Sequence, residues 1–282
     1  MRIGLLVSFQ SMEGVKKGFA DLESYGFDNC QLCCWMPELW TDENAAAVKE
    51  SAARHGVTIS AFWCGWEGPA VWNFYDGPLT LGLLPETYRA GRVKNLCDGA
   101  DFAKKLGVTD VITHMGFIPE NPNDPAFEPM CDAIRTVALH CRGNGQHLLF
   151  ETGQETPVAM LRCFETVGTG NLGVNLDTAN LILYGNANPV DALDVIGPYV
   201  RNLHVKDGLY PENGHDLGHE TPLGKGKVDF PRLLRRLKAL GYDGWLTIER
   251  EISGPQQIAD IKAAKVYLEE ILNQMKEEDA GC

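Results

Sequence analysis

The chain has 282 residues, a length that fits one α/β barrel of about 250 residues. Its 25 basic and 38 acidic residues leave a net charge of −13, which disfavours binding to the phosphate backbone of a nucleic acid. No stretch approaches the roughly 20 apolar residues that a membrane helix requires. We therefore expect a globular protein that binds neither nucleic acid nor membrane.

The N-terminal sequence and the cysteines predict where the protein resides. The opening sequence MRIGLLVSFQ enters a strand directly and has no signal-peptide pattern. Nine cysteines are scattered through the predicted elements, which indicates reduced thiols and a cytoplasmic protein. Cys30 and Cys33 have the spacing of a redox motif, but they lie within a predicted strand and are interpreted as barrel packing.

Eight strand-like runs alternate with helix-like segments along the chain. Segments such as ENAAAVKESAARHG and FPRLLRRLKALG carry apolar residues at helical spacing. Several end in a glycine that can cap a helix, at Gly26, Gly56, Gly107 and Gly241. This alternation predicts a single-domain (β/α)8 TIM barrel over residues 1–282, with a polar C-terminal tail after about residue 273. The predicted strands are Arg2–Ser8, Asn29–Trp35, Val57–Trp63, Asp110–His114, His147–Glu151, Leu172–Asp177, Val200–Val205 and Trp245–Glu249.

Two connections are longer than packing requires. The first, from Gly65 to about Glu86, is rich in Gly, Pro and aromatic residues, and the second, from Gly208 to Val228, is rich in Gly, His and charge. Both follow strand C-termini, where the active sites of TIM barrels lie, so we expect lids or substrate walls. Within the second, Lys225 and Lys227 could hold an anion, but a tight loop with solvated lysines is the preferred interpretation.

Three carboxylates and a histidine each close one predicted strand. Glu151 ends the run HLLFE and Asp177 ends LGVNLD, while His204 ends VRNLH and Glu249 ends WLTIE. Ionised carboxylates at strand ends are costly unless a positive charge meets them, and a divalent cation would supply it. The sequence therefore predicts a metal-dependent enzyme that binds Mn²⁺, Mg²⁺ or Co²⁺, with Zn²⁺ as an alternative.

This donor set suggests a reaction. If the four side chains point into the barrel mouth, open coordination positions can take a carbonyl and a neighbouring hydroxyl of a substrate, where the metal would stabilise an enediolate. Glu151 and Glu249, on opposite sides of the metal, could then remove and return a proton on opposite faces of the carbon.

Five segments in order carry a family resemblance: FETGQET, NLDTANLILYG, LHVKDG, LGKGKVDF and LTIERE. They resemble the sugar phosphate isomerase/epimerase group of the xylose-isomerase-like barrels, with D-tagatose and D-psicose 3-epimerases nearest in layout. The resemblance implies a homodimer or homotetramer that acts on a small carbohydrate with Mn²⁺ as the first expectation. It implies that the metal ligands are Glu151, Asp177, His204 and Glu249, with the two glutamates as the acid/base pair. Glu155 resembles a carboxylate that contacts the sugar near C1–C2.

The chain departs from that family pattern at two positions. Ketose epimerases of the group often carry a histidine three residues after the Asp ligand, where this chain has Asn180. They also use an arginine after the His ligand, for which Lys206 is only a stand-in. Asn180 keeps open a second reaction, a lyase or dehydratase of the inosose dehydratase or keto-glycoside-cleaving kind. Such an enzyme removes the same proton but expels a β-substituent.

Further side chains are predicted near the mouth. His114 closes the fourth strand and could hydrogen-bond a substrate or serve as a structural histidine. Trp63 and Trp66 could form an aromatic platform for a sugar, the alternative being packing in the core or lid. Lys206 is predicted to orient a neighbouring ligand rather than form a plain ion pair.

Two other classes of function are weaker alternatives. Endonuclease IV shares the barrel and part of the ligand pattern, but it needs a three-metal cluster, more histidines and a positive groove, which the net charge of −13 disfavours. A non-catalytic scaffold with a vestigial site is disfavoured by four intact ligands.

Overall fold

In a computed structural model, which describes residues 1–280, eight parallel strands close into a barrel. Neighbouring strands follow the order β1-β10-β7-β6-β5-β4-β3-β2, so each strand pairs with the next barrel strand in sequence and the last pairs with the first. The strands are β1 Arg2–Ser8, β2 Asn29–Cys34, β3 Thr58–Cys64, β4 Asp110–Thr113, β5 His147–Glu151, β6 Leu172–Asp177, β7 Val200–Val205, β8 Asp207–Leu209, β9 His219–Thr221 and β10 Trp245–Ile248.

Helices surround the barrel, and local signals in the sequence set their ends. Ser11, Thr41 and Thr156 each accept a hydrogen bond from a backbone N–H of the first helical turn. Gly26 and Gly107 end helices in the left-handed conformation. The helices are α1 Met12–Tyr25, α2 Asp42–Arg54, α3 Gly77–Thr80, α4 Glu86–Leu106, α5 Phe127–Gly143, α6 Pro157–Val167, α7 Asn180–Leu183, α8 Pro189–Ile196, α9 Phe230–Ala239 and α10 Pro255–Ala280.

The predicted barrel is confirmed, with its strands shifted by one residue at most. The strands β1, β5, β6 and β7 have the predicted bounds. The second predicted long connection additionally contains a short antiparallel pair, β8 and β9. All four predicted capping glycines have positive φ, between 64° and 85°.

The predicted polar tail after about residue 273 falls in a helix, and its last two residues lie outside the described part of the chain. Helix α10 continues to Ala280, and Met275 within that stretch is buried against the core. Arg235 and Lys238 of α9 form ion pairs with Glu278 and Asp279. The acidic residues that suggested a solvated tail therefore pair with a basic face of the neighbouring helix.

The apolar layer between the barrel and its helices forms one continuous core, and a second, smaller cluster lies at the mouth. That smaller cluster contains Ala61, Trp63, Trp66, Leu81, Ile112 and Leu149. Within residues 1–280, no helix is both long and apolar enough to cross a membrane. The strand C-termini thus open into a mouth with an aromatic border.

Candidate metal centre

The four residues that close predicted strands meet at the barrel mouth. Each offers one ligand atom, and these atoms all lie within 4.8 Å of one another. The Nδ1 atom of His204 is 3.0 Å from Glu151 Oε1, 3.2 Å from Glu249 Oε2 and 3.8 Å from Asp177 Oδ2. Because parallel strands place their C-terminal ends at one face, residues distant in sequence converge here.

The local backbone fixes Asp177 in this cluster. The turn from β6 into α7 brings the N–H groups of Ala179 and Asn180 to its Oδ1 atom, at 2.8 and 2.7 Å. Its Oδ2 atom is buried and accepts no hydrogen bond from the described residues 1–280. A buried carboxylate oxygen without a donor is costly. A divalent cation among the four side chains would satisfy it, and the mixture of three carboxylates and one imidazole fits such an ion.

The electrostatics of the cluster point the same way. Burial alone would lower the pKa of His204, but the carboxylates of Glu151 and Glu249 raise it well above its ordinary value. Burial alone would raise the pKa of Glu249, but the positive charges of Lys206 and His204 hold it below its usual range. The cluster therefore attracts positive charge, whether a proton or a cation.

Lys206 supplies a second positive charge beside the cluster. Its Nζ atom is buried, 2.6 Å from Glu251 Oε2, 3.2 Å from Glu249 Oε2 and 3.4 Å from Asn180 Oδ1. The negative charges of Glu249, Asp177 and Glu251 outweigh burial and raise the pKa of Lys206 well above its ordinary value. A permanently charged lysine thus fixes the position of the Glu249 carboxylate.

A cavity of about 370 Å³ opens above the cluster. Of the residues predicted from the sequence, five line it, including both glutamates of the proposed acid/base pair. The others lie around it: Asp177, His204 and Lys206 are buried in or beside the cluster. The lining residues are Leu6, Cys33, Trp35, Trp63, Trp72, His114, Glu151, Asn180, Leu183, Tyr184, Leu217, Glu249 and Glu251.

Three predicted side chains contact Glu151. The indole Nε1 of Trp63 donates to Glu151 Oε2. The amide Nδ2 of Asn180 donates to Oε1 over 3.4 Å, and His114 Nε2 lies 3.4 Å from the same oxygen. All three side chains line the cavity together with Glu151.

Three predicted substrate contacts lie outside the cavity lining, namely Lys206, described above, Trp66 and Glu155. Trp66 packs edge-on against Trp35 and stacks beneath the guanidinium of Arg92, so it supports the aromatic border from behind. Glu155 is buried with both carboxylate oxygens unpartnered among residues 1–280, and burial raises its pKa well above the ordinary value. Both Trp66 and Glu155 follow strand C-termini, as the cavity residues do, so their burial outside the cavity could not be predicted from the sequence.

The two long connections meet over the mouth. The Tyr75 hydroxyl is 2.5 Å from His215 Nδ1, and the two rings stack with centroids 5.8 Å apart. In the second connection, the N–H groups of Gly224, Gly226 and Val228 donate to the Asp207 carboxylate at 2.8–3.1 Å. The loop that carries Lys225 and Lys227 therefore encloses a carboxylate of the chain itself, in agreement with the tight-loop interpretation.

Sequence reasoning missed several residues of the site. Trp35, Trp72, Tyr184 and Glu251 line the cavity, and their positions in loops or just past strand ends gave little signal. Glu251 follows Glu249 by two residues, and both carboxylates form ion pairs with Lys206. The spacing of these two glutamates is visible in the sequence. Gln31 was also missed, although a polar residue inside the apolar run of β2 is an informative exception.

Two related proteins match the chain along different lengths. An uncharacterized protein of Methanocaldococcus jannaschii is 25% identical over 279 residues, which cover 95% of this chain and 88% of that protein. The inosose dehydratase of Geobacillus kaustophilus is 25% identical over 172 residues, which cover 54% of this chain and 55% of that enzyme. The chain thus spans about half the length of the inosose dehydratase that it matches.

Solved structures share the whole fold. A xylose isomerase domain protein from Planctomyces limnophilus superposes with a TM-score of 0.86 at 30% identity, covering 100% of this chain and 98% of that one. An L-ribulose 3-epimerase gives 0.76 at 19% identity, with 99% and 97% covered. A Mycobacterium smegmatis protein of the same barrel type, in complex with magnesium, gives 0.71 at 18% identity, with 97% of each chain covered.

A family model covers most of the chain. The model described as the xylose isomerase-like TIM barrel matches residues 19–272. That family includes sugar epimerases and dehydratases. Together with the closed barrel and the cluster at its mouth, the match shows that the chain belongs to the xylose isomerase-like TIM barrel family.

Proposed function

We propose that this protein is a metal-dependent isomerase or epimerase of a ketose, a sugar phosphate or a related polyol derivative. The observation that carries the proposal is the pair of glutamates, Glu151 and Glu249, that belong to the ligand cluster and also line the cavity. They lie on β5 and just past β10, two barrel strands separated by β6 and β7. This separation supports proton transfer from one face of a bound carbon and to the other.

Glu151, Asp177, His204 and Glu249 would hold the cation, with Mn²⁺ as the first candidate and Mg²⁺, Co²⁺ or Zn²⁺ as alternatives. The ion would supply Lewis-acid polarisation of the substrate carbonyl. Lys206 keeps Glu249 ionised, which is the form of the carboxyl group that can accept a proton. Trp63 and Asn180 hold Glu151 at the other side. The magnesium complex of the M. smegmatis barrel supports a divalent cation in this fold.

The aromatic border of the cavity supports a carbohydrate substrate. Trp35, Trp63 and Trp72 form a contiguous group with ring centroids 4.8–6.3 Å apart. Apolar ring faces pack against the C–H face of a sugar, while His114 and Asn180 offer polar atoms to its hydroxyl groups. The fold neighbour that acts as an L-ribulose 3-epimerase is consistent with this class of substrate.

A lyase or dehydratase is the second candidate, and Asn180 favours it. This residue faces Glu151 from the position at which ketose epimerases often carry a histidine. The match to inosose dehydratase over half its length adds support. Such an enzyme would use the same base beside the carbonyl but would expel a β-substituent.

Proton NMR in D₂O distinguishes these reactions. Ketoses, ketose phosphates, inososes and keto-glycosides are incubated with the Mn²⁺-loaded protein, and the metal is removed before detection. We expect metal-dependent deuterium incorporation beside the carbonyl together with a new epimer. Release of water or an aglycone instead would identify the lyase.

Two variants complete this experiment. Glu249→Gln should lower the exchange rate by about 10²–10⁴-fold because the variant lacks the base, while Mn²⁺ binding by calorimetry largely persists. Glu269→Gln, an exposed substitution on α10, should exchange at the wild-type rate. Unchanged exchange in Glu249→Gln would exclude the two-glutamate mechanism. No exchange on any compound by metal-loaded protein would exclude the substrate class.

A further inference from the structure

A chain of buried polar groups runs down the inside of the barrel from the metal centre. The Nε2 atom of His204, on the side of the ring away from the cluster, is 2.7 Å from Gln31 Oε1. Gln31 Nε2 donates to Asn175 Oδ1 over 3.0 Å and to Asn202 Oδ1 over 3.3 Å. Asn202 Nδ2 in turn donates to Asp110 Oδ2 over 3.0 Å, at the first residue of β4. Every member of this chain is buried.

The direction of each hydrogen bond follows from Asp110. A carboxylate only accepts, and its second oxygen is engaged by Arg201 Nε at 2.9 Å. Asn202 must therefore turn its NH₂ group to Asp110 and its oxygen to Gln31. Gln31 must then turn its own NH₂ group to that oxygen, which leaves Gln31 Oε1 facing His204.

His204 consequently carries its hydrogen on Nε2. An oxygen at 2.7 Å from a ring nitrogen requires that nitrogen to donate. The other nitrogen, Nδ1, lies 3.0 Å from Glu151 Oε1 and is the ring atom that would bind a cation between Glu151, Asp177 and Glu249. Asp110, at the opposite end of the barrel, thus determines that Nε2 of His204 carries a hydrogen, and this is the tautomer needed for metal binding through Nδ1.

We propose that Gln31 is a positioning residue for the metal centre and that the chain Asp110–Asn202–Gln31 fixes the tautomer and ring orientation of His204. The inference rests on the proposed metal-dependent function. It adds a set of residues on β2, β4 and β7 that belong neither to the ligand cluster nor to the cavity lining. It also explains why two amide side chains, Gln31 and Asn202, are buried inside the barrel.

Metal affinity tests this inference without reference to turnover. The Kd for Mn²⁺ is measured by calorimetry on wild type, Gln31→Met and Asp110→Asn. Gln31→Met keeps the side-chain length but removes the acceptor, and we expect Mn²⁺ to bind about 10–100-fold more weakly. Asp110→Asn removes the carboxylate that sets the orientation of the Asn202 and Gln31 amides. It should therefore also weaken Mn²⁺ binding, although Asp110 lies at the opposite end of the barrel from the metal centre.

A matched control is Thr247→Val. Thr247 points into the barrel from β10, two residues before Glu249, and its buried hydroxyl has no partner among residues 1–280. This variant should bind Mn²⁺ as wild type does. Wild-type affinity in Gln31→Met or in Asp110→Asn would overturn the proposal. A wild-type protein that binds no Mn²⁺ would overturn the proposed function as well, so the two failures are distinguishable.

If Gln31→Met does not fold, NMR on the wild-type protein still tests the tautomer of His204. The protein has seven histidines, so ¹⁵N-histidine labelling of the Zn²⁺-loaded wild type gives a spectrum simple enough to assign. The signal absent from His204→Asn identifies His204. A hydrogen on Nε2 and a metal-bound Nδ1 are the expected result, and a hydrogen on Nδ1 would overturn the proposal.

Discussion

At the scale of single residues, charge balance governs the site. Three buried or nearly buried carboxylates, Glu151, Asp177 and Glu249, lie close to the side chains of His204 and Lys206. The carboxylate of Glu251 adds a further negative charge on Lys206. One lysine therefore faces several carboxylates. Its removal should lower the free energy of unfolding, and a bound cation should restore part of that loss.

Lys206→Met tests this balance. Removing one partner of a buried ion pair leaves the other charge unpaired, so we expect the free energy of unfolding of the metal-free protein to fall by about 3–5 kcal/mol. Saturating Mn²⁺ should recover part of that loss because the cation also faces Glu249. Calorimetric unfolding with and without Mn²⁺ measures both effects.

The control for Lys206→Met is Lys238→Met, which removes an exposed ion pair with Asp279. Exposed pairs contribute little, so this variant should lose less than about 1 kcal/mol and should not respond to Mn²⁺. Equal losses in the two lysine variants would contradict the assignment of Lys206 to the metal centre.

At the scale of elements, the C-terminal helix α10 makes contacts that its own sequence does not indicate. The stretch QMKEEDAGC lacks an apolar stripe when read alone, yet Met275 is only 5% exposed. The basic residues that pair with Glu278 and Asp279 lie about 40 positions earlier, on α9. Tertiary contacts of this kind leave no local signal, whereas caps and capping glycines do, which is why helix ends such as Gly26 were predictable.

Met275→Ala tests whether the last two turns of α10 belong to the folded core. We expect the free energy of unfolding to fall by about 2–3 kcal/mol, because a buried methionine is replaced by a cavity. Glu277→Ala, an exposed neighbour, should change it by less than about 0.5 kcal/mol. Denaturant unfolding measures both, and equal stability in the two variants would mean that this end of the helix frays.

At the scale of the whole molecule, the barrel geometry explains how much of the site was predictable. Strand C-termini meet at one face, so residues at those ends, such as Asp177 and His204, could be placed together from the sequence. Residues that reach the cavity from loops, such as Trp72, could not, because loop paths depend on contacts between loops. Gln31 lies deep in the barrel, where only the assembled interior reveals its partners.

Metal binding should couple the site to the stability of the entire fold. A ligand that binds only the folded state stabilises it, by about 2.7 kcal/mol at a concentration of 100 times its Kd. EDTA should therefore lower the Tm and Mn²⁺ should raise it. Asp177→Asn, which weakens the site, should reduce the gain in Tm on adding Mn²⁺. A gain of equal size in this variant would place the cation elsewhere.

The same stabilisation should depend on pH with a definite sign. The raised pKa of His204 means that its protonated form stabilises the metal-free fold, and this contribution is lost as the pH rises through that pKa. A Mn²⁺ ion bound by His204 would displace that proton, so its affinity should fall as the pH is lowered, by up to about 1.4 kcal/mol for each unit. At a fixed free Mn²⁺ concentration, the gain in Tm should be larger near about pH 8 than near about pH 6. Calorimetric titration in buffers of different ionisation enthalpy gives the number of protons released, and a value of zero would contradict direct ligation by His204.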